Sequence, residues 1–266
     1  MYRIGIDAGS KTLKLVVLDE AGSVVYSAYM RHRANIAHTL REAVHDLNWR
    51  HGPVTASIAM TGSAAIEVAR LLGIPFVQEA IATTHAVRAL VPDADVAIEL
   101  GGEDAKIIYL GDRLEQRMNA TCAGGTGGFI DTIAYMLGVR SSQMSQLAFG
   151  ASRSYPIASR CAVFAQTDVR PLLNAGASKG DIAASVFDAV VRQTLGGLAC
   201  GRSIRGNVVF LGGPLEHMPY LVHAFRRALD LSAVTGVKPN DAHLFTVRGA
   251  ALLAGDEATL GCAPWS

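Results

Sequence analysis

The sequence lacks an excess of charge of either sign, and it lacks long apolar runs. It has 24 Lys plus Arg against 23 Asp plus Glu, which gives a formal net charge of +1. Proteins that bind nucleic acid usually carry a basic excess, so a nucleic-acid partner is not expected. Apolar runs such as NVVFLGG at 207–213 fall far short of the roughly 20 residues that span a membrane. Arg3 and Asp7 interrupt the early apolar stretch, so no secretory signal is indicated and we predict a cytoplasmic protein without membrane contact.

Cysteine is also scarce. The chain has four, at Cys122, Cys161, Cys200 and Cys262, and no two form a C-x-x-C pair. This number and spacing exclude the disulfide framework of a small secreted domain and the spacing of a zinc ribbon. The apolar tail that contains Cys262 and Trp265 is a poor solvated terminus. We therefore expect a domain taken from a longer protein.

Apolar residues are abundant, and their spacing alternates between strand and helix patterns. Of the 266 residues, 50% are hydrophobic and 18% are charged, which is enough apolar material for one large domain or two packed lobes. Three short strand patterns within residues 2–30 predict an antiparallel meander, and helical and strand patterns follow to about residue 91, including a strand at 74–78. The pattern restarts after Pro92 with three more strands and then long helices, including one over 179–203 that contains Cys200 and one over 215–229. The sequence therefore predicts an α/β fold with a duplicated architecture, a first lobe at 1–92 and a second at 93–266.

The first hairpin of each predicted lobe has an acidic residue two positions before a glycine. In the first lobe, a tight turn of this kind presents backbone N–H groups to an anion, with hydroxyl and ammonium groups close by. Asp7 ends the strand and could hold a hydrated Mg²⁺ or orient water. The residues predicted to contact phosphate are Gly9, Ser10, Lys11, Thr12 and Lys14. Taken alone, this pattern also fits an ordinary hairpin turn with exposed lysines.

The second lobe repeats the pattern in IELGGEDAK, at residues 98–106. Glu99 matches Asp7, and Gly101, Gly102 and Glu103 form the predicted second phosphate turn. Two such carboxylates could share metal binding and the positioning of water, as phosphoryl transfer requires. A third element, VVFLGGPLEH, places Gly212 and Gly213 between a strand and a helix, where the backbone could approach a base and ribose closely. Neither hairpin matches a Walker loop or a dinucleotide fingerprint.

The three elements in this order resemble the phosphate-1, phosphate-2 and adenosine motifs of the actin, hexokinase and heat-shock-70 ATPase superfamily. The resemblance spans nearly the whole chain. It implies two ribonuclease-H-like lobes with a nucleotide cleft between them, and binding of ATP or ADP with Mg²⁺. In this interpretation Asp7 and Glu99 are the catalytic carboxylates, and Asp7 holds Mg²⁺ through water.

Two cysteine-containing segments narrow the resemblance. MNATCAGGTGGFID at 118–131 and SRCAVFAQTDVRPLL at 159–173 resemble the signature segments of the activators of 2-hydroxyacyl-CoA dehydratases, which are grouped with the ATPase subunits of benzoyl-CoA reductase. The family holds one [4Fe–4S] cluster between two protomers, which implies Cys122 and Cys161 as ligands here. A lone cysteine is otherwise most often a buried, inert residue. Two ligands per chain cannot complete a four-cysteine site, so the cluster requires a second copy or a paired homologous domain.

The resemblance also implies further residues and partners. Gly125 and Thr126, in the GGTGG segment, are expected to contact nucleotide phosphate and to let the next helix start near the cluster. Glu99 and Glu103 depart from the Asp and Gln common in the dehydratase activators, and this favours the activase domains of long multi-domain relatives. Cys200 and Cys262 lack ligand context and are expected to be structural or incidental.

The function implied is ATP-dependent transfer of one low-potential electron to a partner iron–sulfur dehydratase or reductase. A ferredoxin- or flavodoxin-type protein would donate the electron. A sugar-type kinase of the same fold is the main alternative, and a filament-forming or chaperone-like ATPase is a second one. Glu79 and His85 flank a predicted helix start and are equally consistent with a helix cap and a surface histidine.

Overall fold

A computed structural model describes residues 1–111, 113–119, 124–158, 161–229 and 234–255. The chain forms two compact units. Unit 1 comprises Met1–Pro92 together with the chain from Leu244 onward, and unit 2 comprises Asp93–His243. Within the described residues, no helix is both long and apolar enough to cross a bilayer.

Unit 1 is built on a four-stranded sheet with the order β3-β2-β1-β4. β1 pairs antiparallel with β2 and parallel with β4. A buried apolar cluster on this sheet includes Ile4, Leu15 and Met60. The strands are β1 (Tyr2–Ala8), β2 (Thr12–Leu18), β3 (Val24–Arg31) and β4 (Ala56–Thr61). The first helices are α1 (Ile36–His51), α2 (Ile66–Leu72) and α3 (Glu79–Leu90).

Unit 2 repeats this arrangement with one more strand, in the order β7-β6-β5-β8-β9. β5 pairs antiparallel with β6 and parallel with β8, as β1 does with β2 and β4. The strands are β5 (Val96–Leu100), β6 (Ala105–Tyr109), β7 (Glu115–Met118), β8 (Gly206–Leu211) and β9 (Val234–Val237). The predicted duplication is therefore confirmed at the level of topology.

The helices of unit 2 pack around a large apolar core that includes Phe129, Phe187, Phe210 and Phe225. They are α4 (Gly127–Met136), α5 (Ser141–Phe149), α6 (Ala162–Asn174), α7 (Lys179–Arg192), α8 (Gly213–His217) and α9 (Pro219–Ala228). A π-helical turn at Gln193–Leu198 follows α7. The core fixes α4 and α6, the two helices that follow the cysteine-containing segments.

The last helix, α10 (Phe245–Leu252), belongs to unit 1 and not to the second lobe. The prediction of a second lobe over 93–266 is therefore wrong for this helix. The backbone of α10 passes so close to β1 that a Cβ at Gly5 would lie 2.1 Å from the Val247 carbonyl oxygen. A buried hydrogen bond of 2.8 Å joins the hydroxyls of Thr83 and Thr246, on α3 and α10. Helical spacing showed that α10 has a buried face but could not show which sheet covers it.

Three element predictions also differ from the structure. Residues 74–78 form no full strand, and Phe76 makes only an isolated bridge to Met60. The helix predicted over 179–203 ends as an α-helix at Arg192. The helix predicted over 215–229 is divided at Met218, because Pro219 has no N–H to continue the preceding ladder. Strand β9 has no counterpart among the predicted elements.

Candidate functional site

Asp7 lies at the end of β1 with its carboxylate against a lysine on the neighbouring strand. Only 3% of Asp7 is exposed. Lys14 is its partner in the β1–β2 register, and the Lys14 Nζ lies 2.6 Å from the Asp7 Oδ2. This is a charge-assisted hydrogen bond between two mostly buried groups, and such bonds are stronger than those between neutral groups. The pair holds one face of the Asp7 carboxylate in place.

The turn after Asp7 is closed by its own backbone and supported by a histidine. The Gly9 N–H donates to the Thr12 carbonyl at 3.0 Å. The Gly9 carbonyl lies 2.9 Å from the His32 Nε2, and the Ala34 N–H donates to the His32 Nδ1 at 3.1 Å. Since Nδ1 accepts a hydrogen bond, the ring proton sits on Nε2 and is donated to Gly9. Sequence reasoning missed His32, because nothing in the chain order links it to the turn.

The end of β4 flanks the other side of Asp7. Thr61 is the β4 register partner of Asp7 and has no exposed surface. Gly62 follows with φ of +109°, and a Cβ there would lie 2.6 Å from the Asp7 Oδ1 and 2.3 Å from the Ala8 carbonyl oxygen. Only glycine tolerates both the left-handed backbone and this close approach. Asp7 therefore lies between Lys14 on one strand and the Thr61–Gly62 segment on the other.

The second hairpin has the same geometry with a looser ion pair. Glu99 and Lys106 face each other in register, and the Lys106 Nζ lies 3.9 Å from the Glu99 Oε2. The Gly101 N–H donates to the Asp104 carbonyl at 2.7 Å, as Gly9 does to Thr12. Lys106 is 4% exposed, and sequence reasoning missed it. The acid–lysine spacing of seven residues in both hairpins is the signal that could have identified it.

The GGTGG segment holds this second turn. The Gly127 and Gly128 N–H groups donate to the carbonyls of Gly101 and Gly102 at 3.0 and 2.6 Å. The buried Thr126 hydroxyl also donates to the Gly102 carbonyl, at 3.2 Å. These donors are therefore directed at the turn, and the predicted phosphate contact of Thr126 stays a prediction. Gly125, the other predicted contact, has φ of +74° and packs on the Gln193 side chain.

The third glycine motif lies beside the same turn. Gly212 has φ of +93°, and a Cβ there would lie 2.1 Å from the Leu100 carbonyl oxygen. A Cβ at Gly127 would lie 3.1 Å from the Pro214 Cγ, so the start of α4 packs directly on the start of α8. Unit 2 thus brings together Gly101, Gly127 and Gly212, which are distant in sequence. Gly213, also predicted to contact the nucleotide, is the first residue of α8.

A carboxylate on α8 stabilises the loop behind this motif. Glu216 accepts a hydrogen bond from the Ala242 N–H at 2.9 Å and from the Lys238 Nζ at 3.1 Å. Partial burial acts to raise the pKa of the Glu216 carboxyl, but the contacts with Lys238 and Ala242 prevail and lower it. The Gly212 N–H donates to the Ala242 carbonyl at 3.1 Å, so Glu216 and Gly212 anchor one segment. Sequence reasoning assigned Glu216 no role.

Cys161 is the described member of the predicted cluster-ligand pair. It is half-buried and forms the N-cap position of α6, where no side-chain cap hydrogen bond involves it among the described residues. The helix N-terminus favours a thiolate and an anionic cofactor there. Cys122 and Cys262 lie outside the described residues. Cys200 lies beyond the π-helical turn, is exposed and has φ of +47°, so its predicted place inside a helix is wrong.

The remaining predicted residues lie in the two turns and on α3. Ser10 and Lys11 lie in the first turn, and Glu103 is exposed in the second. Glu79 is the first residue of α3, and His85 is exposed on the same helix.

No group of three or more His, Cys, Asp or Glu side chains that could hold a metal is found in the part of the chain that the structure describes. The Asp7 carboxylate is nevertheless an oxygen donor of the kind Mg²⁺ accepts when water and phosphate supply its other ligands.

Comparison with known proteins identifies the family. The BadF/BadG/BcrA/BcrD ATPase family matches residues 4–254. The (R)-2-hydroxyglutaryl-CoA dehydratase activating ATPase of Acidaminococcus fermentans is 28% identical over 82% of this chain and 84% of its own length. The activator of lactoyl-CoA dehydratase of Anaerotignum propionicum is 29% identical over 97% of this chain and 99% of its own.

A solved structure agrees. The activator of the 2-hydroxyisocaproyl-CoA dehydratase from Clostridium difficile, with bound ADPNP, has a TM-score of 0.84 at 26% identity and covers 96% of this chain and 94% of that one. The expected fold of two ribonuclease-H-like lobes is confirmed, and a sugar-type kinase is not favoured. That the chain is most similar to the activase domains of long multi-domain relatives stays a prediction. The chain is an ATPase and belongs to the BadF/BadG/BcrA/BcrD ATPase family.

Proposed function

We propose that this ATPase is the reductase component of a two-component system, in which ATP hydrolysis drives transfer of one low-potential electron to a partner iron–sulfur enzyme. The partner would be a 2-hydroxyacyl-CoA dehydratase or a related reductase. The observation that carries the proposal is the position of Cys161 at the start of α6 in a chain of this ATPase family. A partly exposed thiol at a helix N-terminus is accessible and is stabilised as thiolate, the form that binds a metal.

The nucleotide part of the proposal rests on the two hairpins. Asp7 would hold hydrated Mg²⁺ through water, and Lys14 would exchange its contact with Asp7 for one with phosphate. The turns at Gly9 and Gly101 would present N–H groups to the phosphates, and Glu99 would position the attacking water. Nucleotide contacts that favour one conformation of a two-state protein by about 5.5 kcal/mol would move its population from 1:99 to 99:1. Hydrolysis would then reverse the shift.

The electron-transfer part rests on Cys161 and its surroundings. A [4Fe–4S] cluster would supply the one-electron chemistry, with Cys122 and Cys161 as the ligands from each of two chains. Val163 and Phe164 lie two and three residues after Cys161, and each is 66% exposed. Large exposed apolar side chains beside the ligand suit a face that a second copy or a partner enzyme covers. A ferredoxin- or flavodoxin-type protein would reload the cluster.

Anaerobic reconstitution tests the proposal. The wild-type protein should bind about four irons and four sulfides per two chains, with absorption typical of a cluster. Cys161→Ser and Cys122→Ser should each lose this iron, while ATP hydrolysis persists. Cys200→Ser is the matched control, because Cys200 is an exposed thiol outside the signature segments, and it should retain the full iron content.

Two results would contradict the proposal. A wild-type protein that takes up no iron and sulfide under anaerobic conditions would leave an ATPase without an electron carrier. Iron binding that survives both Cys161→Ser and Cys122→Ser would place the cluster elsewhere on the chain.

A further inference from the structure

Thr61 has a buried hydroxyl without a partner beside the proposed magnesium site. Its Oγ1 is fully buried and makes no hydrogen bond among the described residues. A buried hydroxyl of this kind opposes folding, because it has lost its hydrogen bonds to water without replacement. Such a group calls for an explanation at the place where it occurs.

The equivalent position of unit 2 shows that the fold itself does not require a hydroxyl. Thr61 is the register partner of Asp7 across β1 and β4. Leu211 is the register partner of Glu99 across β5 and β8, in the same place of the repeated sheet. Leu211 is buried and fills its place with apolar atoms alone. Threonine at position 61 therefore has no packing advantage that an apolar residue would lack.

The strand register places Thr61 beside Asp7. Register partners on adjacent parallel strands present their side chains on the same face of a sheet. The Asp7 Oδ2 is engaged by Lys14 on the β2 side, whereas Oδ1 lies on the β4 side, against Gly62. The Asp7 oxygen on the β4 side is therefore not the one that the 2.6 Å hydrogen bond from Lys14 engages. Thr61 and Asp7 thus present a hydroxyl and a carboxylate on the same face of two adjacent strands.

We propose that Thr61 is a positioning residue that donates to the Asp7 carboxylate in the nucleotide-bound state. When Lys14 turns to the phosphate, Asp7 loses its ion-pair partner. The Thr61 hydroxyl then restrains the carboxylate in the orientation that holds the hydrated Mg²⁺. The inference rests on the proposed nucleotide role of Asp7, and it explains why a costly hydroxyl occupies a position that is apolar in unit 2.

The test compares Thr61→Val, which keeps the shape and removes the hydroxyl, with Thr61→Ser, which keeps the hydroxyl. Calorimetry measures ADP affinity with Mg²⁺ and with EDTA, and thermal unfolding measures stability. Thr61→Val should weaken Mg-ADP binding by about tenfold. It should leave ADP binding in EDTA unchanged and the midpoint of unfolding unchanged or higher. Thr61→Ser should restore Mg-ADP binding to within about twofold of wild type.

A matched control is available on α3. Thr84 is the other threonine with a buried hydroxyl that lacks a partner among the described residues, and it lies outside the strands around Asp7. Thr84→Val should shift the unfolding midpoint as Thr61→Val does, without any change in Mg-ADP affinity. If the valine variant does not fold, Thr61→Ala, which also lacks the hydroxyl, replaces it in the same measurements of Mg-ADP affinity.

A double-mutant cycle distinguishes positioning from a purely structural role. If Thr61 acts through Asp7, Thr61→Val should add no further loss of Mg-ADP affinity to Asp7→Asn. Additive losses, equal losses with Mg²⁺ and with EDTA, or unchanged Mg-ADP affinity in Thr61→Val would each overturn the inference. A wild-type protein that fails to bind Mg-ADP would instead overturn the nucleotide role of Asp7 itself.

Discussion

The two hairpins share one backbone plan but hold their carboxylates in different ways. In both, an acid and a lysine seven residues apart face each other, and the glycine two residues after the acid closes the turn. The Asp7 pair is a close ion pair at 2.6 Å, whereas the Glu99 pair is separated by 3.9 Å. A duplicated scaffold can therefore hold its two acids in ion pairs of different length.

The supports of the two turns differ as well. A side chain, His32, holds the Gly9 carbonyl in unit 1, whereas backbone N–H groups at the start of α4 hold the carbonyls of Gly101 and Gly102 in unit 2. In the first turn a single side chain supports the Gly9 carbonyl, whereas the second turn has backbone support from α4 together with the Thr126 hydroxyl. We infer that unit 1 supplies a carboxylate held by a close ion pair and that unit 2 supplies a rigid turn for phosphate.

The largest expected effect follows from the two carboxylates. Asp7→Asn should lower the rate of ATP hydrolysis by on the order of 10³-fold, because a metal-holding charge is lost. Glu99→Gln should lower it by about 10²-fold, the lower end of the range for a side chain that acts on the attacking water. Phosphate release at saturating Mg-ATP, well below each unfolding midpoint, measures both. Equal losses in the two variants would mean that the closer ion pair does not mark a different role.

The next effect concerns the glycines that follow the parallel strands. A Cβ at Gly62 or Gly212 would lie 2.3 or 2.1 Å from a carbonyl oxygen of the neighbouring strand, and both residues have positive φ. Gly62→Ala and Gly212→Ala should each lower the free energy of unfolding by about 3 kcal/mol or more.

Denaturant unfolding measures these two changes. Gly111→Ala is the control, because a Cβ there meets no atom within 4 Å, and it should leave stability within about 0.5 kcal/mol of wild type. A destabilisation of only one of the two glycine variants would show that the two strand ends are not structurally equivalent.

The duplicated sheets and both acid-x-Gly turns could be predicted because they follow from local signals. Strand alternation, glycine and strand-ending acids are all read within a few residues of chain. The predicted phosphate-2 turn, around Gly101, closes as a hairpin for this reason. The same local patterns, together with the resemblance to the ATPase superfamily, predicted the fold class.

The residues that escaped prediction are those whose partners are distant in sequence. His32, just after the end of β3, contacts Gly9, which lies 23 residues earlier. Helix α10 packs on β1 although the whole of unit 2 separates the two in the sequence. The pairing of Thr61 with Asp7 depends on the parallel register of β1 and β4, which no local pattern specifies. Long-range contacts of this kind require the folded chain.

A smaller effect would sharpen the contrast between the two turn supports. His32→Ala removes the donor to the Gly9 carbonyl and should weaken ADP binding by roughly fivefold, the worth of one hydrogen bond. His32→Gln retains a side-chain N–H and should recover part of this loss.

The matched variant in unit 2 is Asn119→Ala. Asn119 donates to the Glu103 carbonyl at 3.0 Å and accepts from the Ala105 N–H at 2.7 Å. Because the backbone of α4 also holds that turn, this variant should change ADP affinity by less than about twofold. A greater loss for Asn119→Ala than for His32→Ala would reverse the proposed division between the two turns.

The smallest effect contrasts one buried tyrosine in each sheet at high pH. Burial, and then the hydrogen bond to Asp46, raise the pKa of Tyr26 to about 12. Burial also raises the pKa of Tyr109, whose hydroxyl has no partner among the described residues. A folded-state pKa above the unfolded value, about 10, means that the folded chain keeps the proton longer. The stability that the Tyr26 proton confers is therefore full below about pH 10 and is lost as pH rises towards about 12.

Denaturant unfolding of wild type and Tyr26→Phe between pH 8 and pH 12 isolates this contribution from that of the lysines, which both proteins share. The stability advantage of wild type should be constant to about pH 10 and then shrink. Tyr109→Phe removes a hydroxyl without a hydrogen bond, so it should be neutral or stabilising near pH 8. If the stability advantage of wild type over Tyr26→Phe instead grows above pH 10, the hydrogen bond to Asp46 does not hold the Tyr26 proton. The two sheets would then differ only in their hairpins.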